Sequence, residues 1–236
     1  MIALRRVALP LTVSAELVRL TARIPLGDNK TARRLWTSAR GARRSIRSQL
    51  ALMAAGRGYC MYCGDGLGST VDHFEPVARA PHRAFDWLNH LLACEYCNSH
   101  HKRDRFPLDA SGQPLLIDPT AEDPLDHLFL VLSIGTYRPL TDKGRATIEV
   151  CGLNRPLLER GRALAVDQVA ALVFHWWNGS AETRRRAIWT LRDQPHADVL
   201  NAMLRQALLP GAPRIFSDAS LLDLLRDPDL RAALLA

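Results

Sequence analysis

No apolar run in the 236 residues approaches the ~20 residues needed to cross a bilayer, so no membrane association is expected. Internal repeats, low-complexity tracts and a collagen-like period are also missing. What remains is the composition of a folded globular protein, 47% hydrophobic and 23% charged, long enough to bury a core without disulfides. Acid is scarce at the start: in residues 1–59 only Glu16 and Asp28 face twelve basic residues, a net of +10, while the rest holds 19 basic against 22 acidic residues, a net of −3. The basic excess therefore belongs to the first quarter of the chain. It suggests a polyanion, either nucleic acid or an acidic protein surface, with a solvated arginine-rich helix face as the plain alternative. No export signal is expected either, because Pro10 interrupts the apolar stretch after Arg5-Arg6, and Glu16 and Arg19 follow at once. A reducing cytoplasm suits the cysteines, which read as metal-binding thiolates.

Three textures divide the chain. Residues 1–58 read as a basic helical arm, with helices over 13–24 and 30–55. Residues 59–107 form a ligand-rich unit with Gly64, Gly66 and Gly68 in turns and a short β-type run from Ser69 to Phe74. Residues 108–236 read as an all-helical scaffold, with helices near 124–134, 139–151, 155–177, 180–193, 196–208 and 218–235. Leucines, alanines and Trp176, Trp177 and Trp189 at helical spacing there read as core, or else as a partner-binding face. The expected class is α+β, mostly α.

Cys60-x-x-Cys63 and Cys94-x-x-Cys97, thirty residues apart, carry the strongest signal. Two such pairs can place four thiolates at the corners of a tetrahedron, the geometry of closed structural Zn²⁺. Two disulfides or four unrelated core thiols are the alternatives. Four sulfurs leave no open position for water, and a clamp worth on the order of 10 kcal/mol would suit so small a unit. Cys151, unpaired in a helical pattern, reads as a core thiol. His82, His90, His127, His175 and His196 read as structural or surface residues.

Between and after the cysteine pairs stand Asp72-His73, Trp87-Leu88-Asn89 and Cys97-Asn98. This order resembles the HNH endonucleases, whose ββα-metal fold is often held by zinc through two C-x-x-C pairs. The resemblance covers about residues 59–107. It implies His73 as the base that deprotonates water, and Asp72 and Asn98 as oxygen ligands of a catalytic Mg²⁺ or Mn²⁺. It also implies that Asn89 ties the loop carrying His73 in place. For His101 the resemblance allows metal ligation, but Asn98 already fits that role, so His101 is read as a phosphate contact with ligation as the alternative. His100, Lys102 and Arg103 are read as phosphate contacts, with surface solvation as the alternative for all four. Glu75 could assist a second ion or simply be solvated.

The arginines Arg33, Arg34, Arg40, Arg43, Arg44 and Arg47 are read as a basic helix that could grip DNA phosphates beside the site. Further segments, among them Arg105-Phe106-Pro107, Leu115 to Pro119, Asp123 to Leu128 and Thr147 to Arg155, are similar to those following the motif in nucleases of retron-type and Septu-type antiphage defence. That likeness implies DNA cleavage to 5′-phosphate and 3′-hydroxyl ends beside an SMC-like or ABC-type ATPase. On residue chemistry alone those segments are helix starts, turns and apolar faces. A zinc-stabilised binding module without hydrolytic activity, or an RNA-cleaving enzyme using the same site, are the competing readings.

Overall fold

A computed structural model describes residues 1–235. The chain is mostly helical and carries two small two-stranded antiparallel sheets. Three helices precede the first sheet: α1 (Leu11–Thr21), α2 (Asn29–Ser38) and α3 (Arg40–Met53). Asp28 caps α2 by accepting from Thr31 N at 2.9 Å. Where one long helix over 30–55 was expected, the chain breaks at Ala39, whose ψ of 57° is not helical. The break lets two apolar stripes settle on different surfaces. Ala32 and Leu35 of α2 are buried toward the turn Pro81–Arg83, while Ala42, Ile46, Leu50 and Met53 of α3 are buried over the sheet.

That sheet pairs β1 (Thr70–His73) with β2 (His90–Ala93), in the register Thr70 to Ala93 and His73 to His90. All four residues of β2 are buried, polar His90 among them, so the strand shows no inside–outside alternation. After Cys94 the chain enters a π-helix, Tyr96–Lys102, which ends at Arg103 with φ 51°. Such wide helical turns are frequent at functional sites.

The region after 107 is not all-helical. Residues 128–139 form a hairpin of β3 (Leu128–Val131) and β4 (Thr136–Pro139), where a helix was expected over 124–134. Leu128 and Leu130 are buried and alternate with half-buried Phe129 and Val131, a two-residue period that satisfies a strand. Gly135 closes the hairpin at φ +68°, pressed so near the later helix Pro156–Asn178 that a Cβ would fall 2.0 Å from Glu159 O.

Helices follow: α4 (Asp142–Cys151), α5 (Pro156–Asn178), α6 (Ala181–Asp193), α7 (Ala197–Gln206), α8 (Ala212–Ile215), α9 (Ala219–Arg226) and α10 (Pro228–Leu235). The single helix expected over 218–235 is two, parted at Asp227, whose carboxylate caps α10 through Asp229 N and Leu230 N, both at 2.9 Å. In α5, Leu158, Arg162, Ala165, Val169, Val173 and Trp176 recur at helical spacing on the buried side. One hydrophobic cluster runs from Leu17 and Leu50 through Leu91 and Leu92 to Ile117, Val169 and Leu225. No helix among the described residues is long and apolar enough to cross a membrane.

Candidate active site

Two loops bring the cysteines together. Cys60 N donates to Gly66 O at 2.8 Å and Gly64 N to Cys60 O at 2.9 Å, closing the first knuckle, and Met61 N to Leu92 O at 2.9 Å pins it to β2. Cys94 follows β2 directly, and Cys97 lies on the π-helix. The four sulfurs lie within 4.8 Å of one another, all four residues are buried, and none is in a disulfide. Tetrahedral Zn²⁺ with bonds of about 2.3 Å separates its sulfurs by about 3.8 Å. The Cys63 and Cys94 sulfurs stand 3.9 Å apart. Hydrogen bonds from Cys60, Cys94 and Cys97 pull Cys63 far below the usual thiol range, while the same crowding pushes Cys97 up. Thiols packed this closely cannot all ionise without a cation between them, so donor set, spacing and charge fit zinc.

Beside this cluster opens a cleft of about 570 Å³, lined among others by Arg33, Trp36, Asp72, His73, Asn98 and Arg103. His73 Nε2 lies 2.9 Å from Ala84 O. A carbonyl only accepts, so Nε2 carries the proton and Nδ1 keeps a free lone pair. Burial lowers the His73 pKa, against the hydrogen bond to Ala84 and the charge of Asp72, which raise it; the ring is therefore a neutral base near pH 7. Trp36 packs edge-on against His73 at 4.4 Å, and His90 stacks on Trp36 while donating its own Nε2–H to Ala84 O at 3.0 Å. Asn89 is fully buried: Oδ1 accepts from Glu75 N at 2.8 Å, and Nδ2 donates to Glu75 O at 2.9 Å and Arg83 O at 3.3 Å. The segment after His73 is thus tied down on both backbone faces.

Several side chains here were not singled out by sequence reasoning. Thr70 Oγ1 donates to Ala93 O at 2.9 Å, so toward Asn98 it can only accept, and it takes the Nδ2 hydrogen at 3.0 Å. That chain sets the amide and leaves its carbonyl oxygen for another partner. Tyr62 OH donates to Asp72 Oδ2 at 2.6 Å. Lys102, expected as a surface phosphate contact, is fully buried instead. Its Nζ lies 3.2 Å from Asp72 Oδ1, 3.1 Å from Oδ2 and 2.8 Å from His73 O. The π-helix turns it inward, where it supplies the counter-charge that lets Asp72 remain 3% exposed.

The other expected residues separate. Arg40, Arg43, Arg44 and Arg47 line a second groove of about 320 Å³ that shares Trp36 and Val71 with the first cleft. His100 and His101 lie outside the cleft lining: His100 stacks on exposed Tyr96 at 5.1 Å, and His101 packs against Tyr96 and Gly152. Glu75 is engaged by Arg83 at 2.9 Å and Arg79 at 3.3 Å.

Comparison with known proteins agrees with this geometry. Over 155 residues, 53% of this chain and 52% of the relative, the sequence is 28% identical to Septu protein PtuB of Bacillus mycoides (strain KBAB4), so the chain spans about half the length of the curated relative it matches. The family model that matches, HNH endonuclease, covers both cysteine pairs and the Asp72-His73, Asn89 and Asn98 positions. Residues 60–104 thus carry an HNH endonuclease domain, within a chain similar over about half its length to Septu protein PtuB.

Proposed function

We propose that the protein is a metal-dependent endonuclease that hydrolyses DNA phosphodiester bonds and serves as the nuclease subunit of a cytoplasmic antiphage complex with an SMC-like or ABC-type ATPase. The observation that carries this reading is the convergence of Asp72, His73 and Asn98 on one cleft that runs into an arginine-lined groove. A phosphodiester in the cleft would lie near a neutral imidazole held by Ala84 O, with Nδ1 free to take a proton from water. The carboxylate of Asp72 and the amide oxygen of Asn98 are hard donors that would hold Mg²⁺ or Mn²⁺. Asp72 Oδ1, which meets only Lys102 while Oδ2 meets both Tyr62 and Lys102, retains a lone pair for that ion. A divalent ion bound there supplies electrostatic stabilisation of the charge developing on the leaving oxygen. Asn89 keeps the base in place, and Arg33 and Arg103 line the same cleft, where they would meet phosphate. Arg40, Arg43, Arg44 and Arg47 would add affinity that is independent of base sequence. Cys60, Cys63, Cys94 and Cys97 would hold zinc in a purely structural role, since four sulfurs complete its shell.

The test is cleavage of supercoiled plasmid and of a structured RNA in parallel, by the zinc-loaded chain with and without its ATPase partner, in Mg²⁺, Mn²⁺ or EDTA. Nicking of DNA that EDTA abolishes is the expected result. Cleavage of RNA alone would overturn the substrate assignment. Failure on both substrates with the partner present would leave the non-catalytic binding module.

A further inference from the structure

The segment Cys151-Gly152-Leu153-Asn154-Arg155, between α4 and α5, contributes nothing to the cleft, yet each of its residues is engaged. Gly152 adopts φ +59°, and a Cβ there would meet the His101 ring at 2.5 Å. Cys151 and Leu153 are fully buried. Asn154 accepts from Tyr137 N at 2.9 Å and donates to Tyr137 O at 2.8 Å, fixing the corner to β4. Arg155 turns the other way. Its two terminal nitrogens lie 3.7 and 3.6 Å from Cys97 Sγ, within reach of an N–H···S hydrogen bond. The same guanidinium donates to Cys151 O at 3.3 Å and Gly152 O at 3.1 Å, and its carbon sits 5.2 Å over the Tyr96 ring. Among the described residues it is the one charged side chain within hydrogen-bonding distance of a cluster sulfur.

A zinc ion with four thiolates carries a net charge of −2, and such centres are tuned by donors to their sulfurs. We propose that Arg155 is an outer-sphere partner of the structural zinc: it donates to Cys97 Sγ, offsets part of the thiolate charge, and fastens the α4–α5 corner to the metal. The proposal rests on the zinc reading of the four cysteines. In it the metal joins the nuclease unit to the helical region that begins with α5, beyond closing the two knuckles. A fork of two N–H groups on one sulfur is geometry that lysine does not reproduce. Arg105 is the natural control, because it ties the π-helix to the same corner through Val150 O at 2.6 Å and His101 O at 2.8 Å while touching no sulfur.

The experiment compares the full chain with Arg155→Met, Arg155→Lys and Arg105→Ala. The zinc dissociation constant is measured by competition with a chromophoric chelator, and the relative alkylation rates of Cys97 and Cys60 by mass spectrometry. Arg155→Met keeps the stem on Tyr96 and removes the donors; it should weaken zinc about 10- to 100-fold and speed alkylation of Cys97 more than of Cys60. Arg155→Lys should fall between it and the wild type. Arg105→Ala should lower the melting temperature and leave the zinc constant unchanged. A folded Arg155→Met chain with wild-type zinc affinity would overturn the proposal. Should that variant fail to fold, a wild-type constant in Arg155→Lys overturns it equally. A wild-type chain that holds no zinc would instead remove the zinc reading beneath it.

Discussion

Two buried aspartates in this molecule are built almost alike. Asp72 accepts from Tyr62 OH at 2.6 Å and faces the Lys102 ammonium at 3.1 Å; Asp198 accepts from Tyr137 OH at 2.6 Å and faces Arg162 Nε at 3.1 Å. What differs is what surrounds each trio. Arg162 is spent entirely on protein, with its other nitrogens on Gly135 O at 3.0 Å and Leu153 O at 2.9 Å and its carbon 4.4 Å over the Tyr137 ring. The Met1 α-amine closes that site, 3.0 Å from Asp198. Asp72 instead lines an open cleft beside an imidazole and an amide. A carboxylate, a tyrosine hydroxyl and a cation are thus sealed inside protein in one trio and border an open cleft in the other. Burial would raise the Asp198 carboxyl, but the Met1 and Arg162 charges overcome it and hold it well below the ordinary carboxylate range.

The sharpest separation of the two trios comes from parallel substitution. Asp72→Asn should lower cleavage at least ~100-fold, whereas Asp198→Asn should leave the cleavage rate of the folded fraction near wild type; a rate assay at a temperature where both variants are folded checks this. Stability should order the other way. Asp198→Asn strands a guanidinium that cannot shed its proton, at a cost of about 3–5 kcal/mol, while an ammonium stranded by Asp72→Asn can lose its proton, so the cost is smaller. Urea titration gives both values. Because the folded Asp198 pKa is depressed, its contribution is present above the unfolded carboxylate pKa of about 4 and is lost as pH falls through the folded value. The gap between wild type and Asp198→Asn should therefore narrow in acid.

Smaller effects test how the open trio's neighbours are held. Thr70→Val deletes the acceptor that orients Asn98, and should lower cleavage severalfold at a stability cost of about 1 kcal/mol. Weak retention of Mn²⁺ with unchanged zinc content would place the loss at the amide. Smallest is the arginine groove: Arg44→Ala with Arg47→Ala should flatten the slope of log affinity against log salt by up to about 1.8, and leave the cleavage rate at saturating DNA unchanged. A salt slope that does not move would take those arginines off the phosphate path.

The four-cysteine cluster and the meeting of Asp72, His73 and Asn98 at one cleft were legible in the sequence because metal and proton chemistry require particular residue types at short, fixed spacings. Lys102 was misplaced because a lysine in the run His100 to Arg103 looks solvated; only the π-helix and Asp72 explain its inward turn. Tyr62, Thr70 and Trp36 act through contacts set by the sheet and by α2, which no local pattern encodes. The hairpin was hidden because a Leu-Phe-Leu-Val-Leu run fits a buried helix turn as well as a strand. Ala39 breaks its helix with neither glycine nor proline at the break itself, Gly41 standing two residues on inside α3, whereas the split at Asp227 carries a plainer signal, an aspartate cap before Pro228.

The measurement that bears most directly on the cleft as a catalytic centre is plasmid nicking by the zinc-loaded wild type and His73→Ala, side by side in Mn²⁺. Loss of nicking by at least ~100-fold, with zinc content and melting temperature unchanged, is the expected result. Equal nicking by both proteins would contradict it and move the base elsewhere.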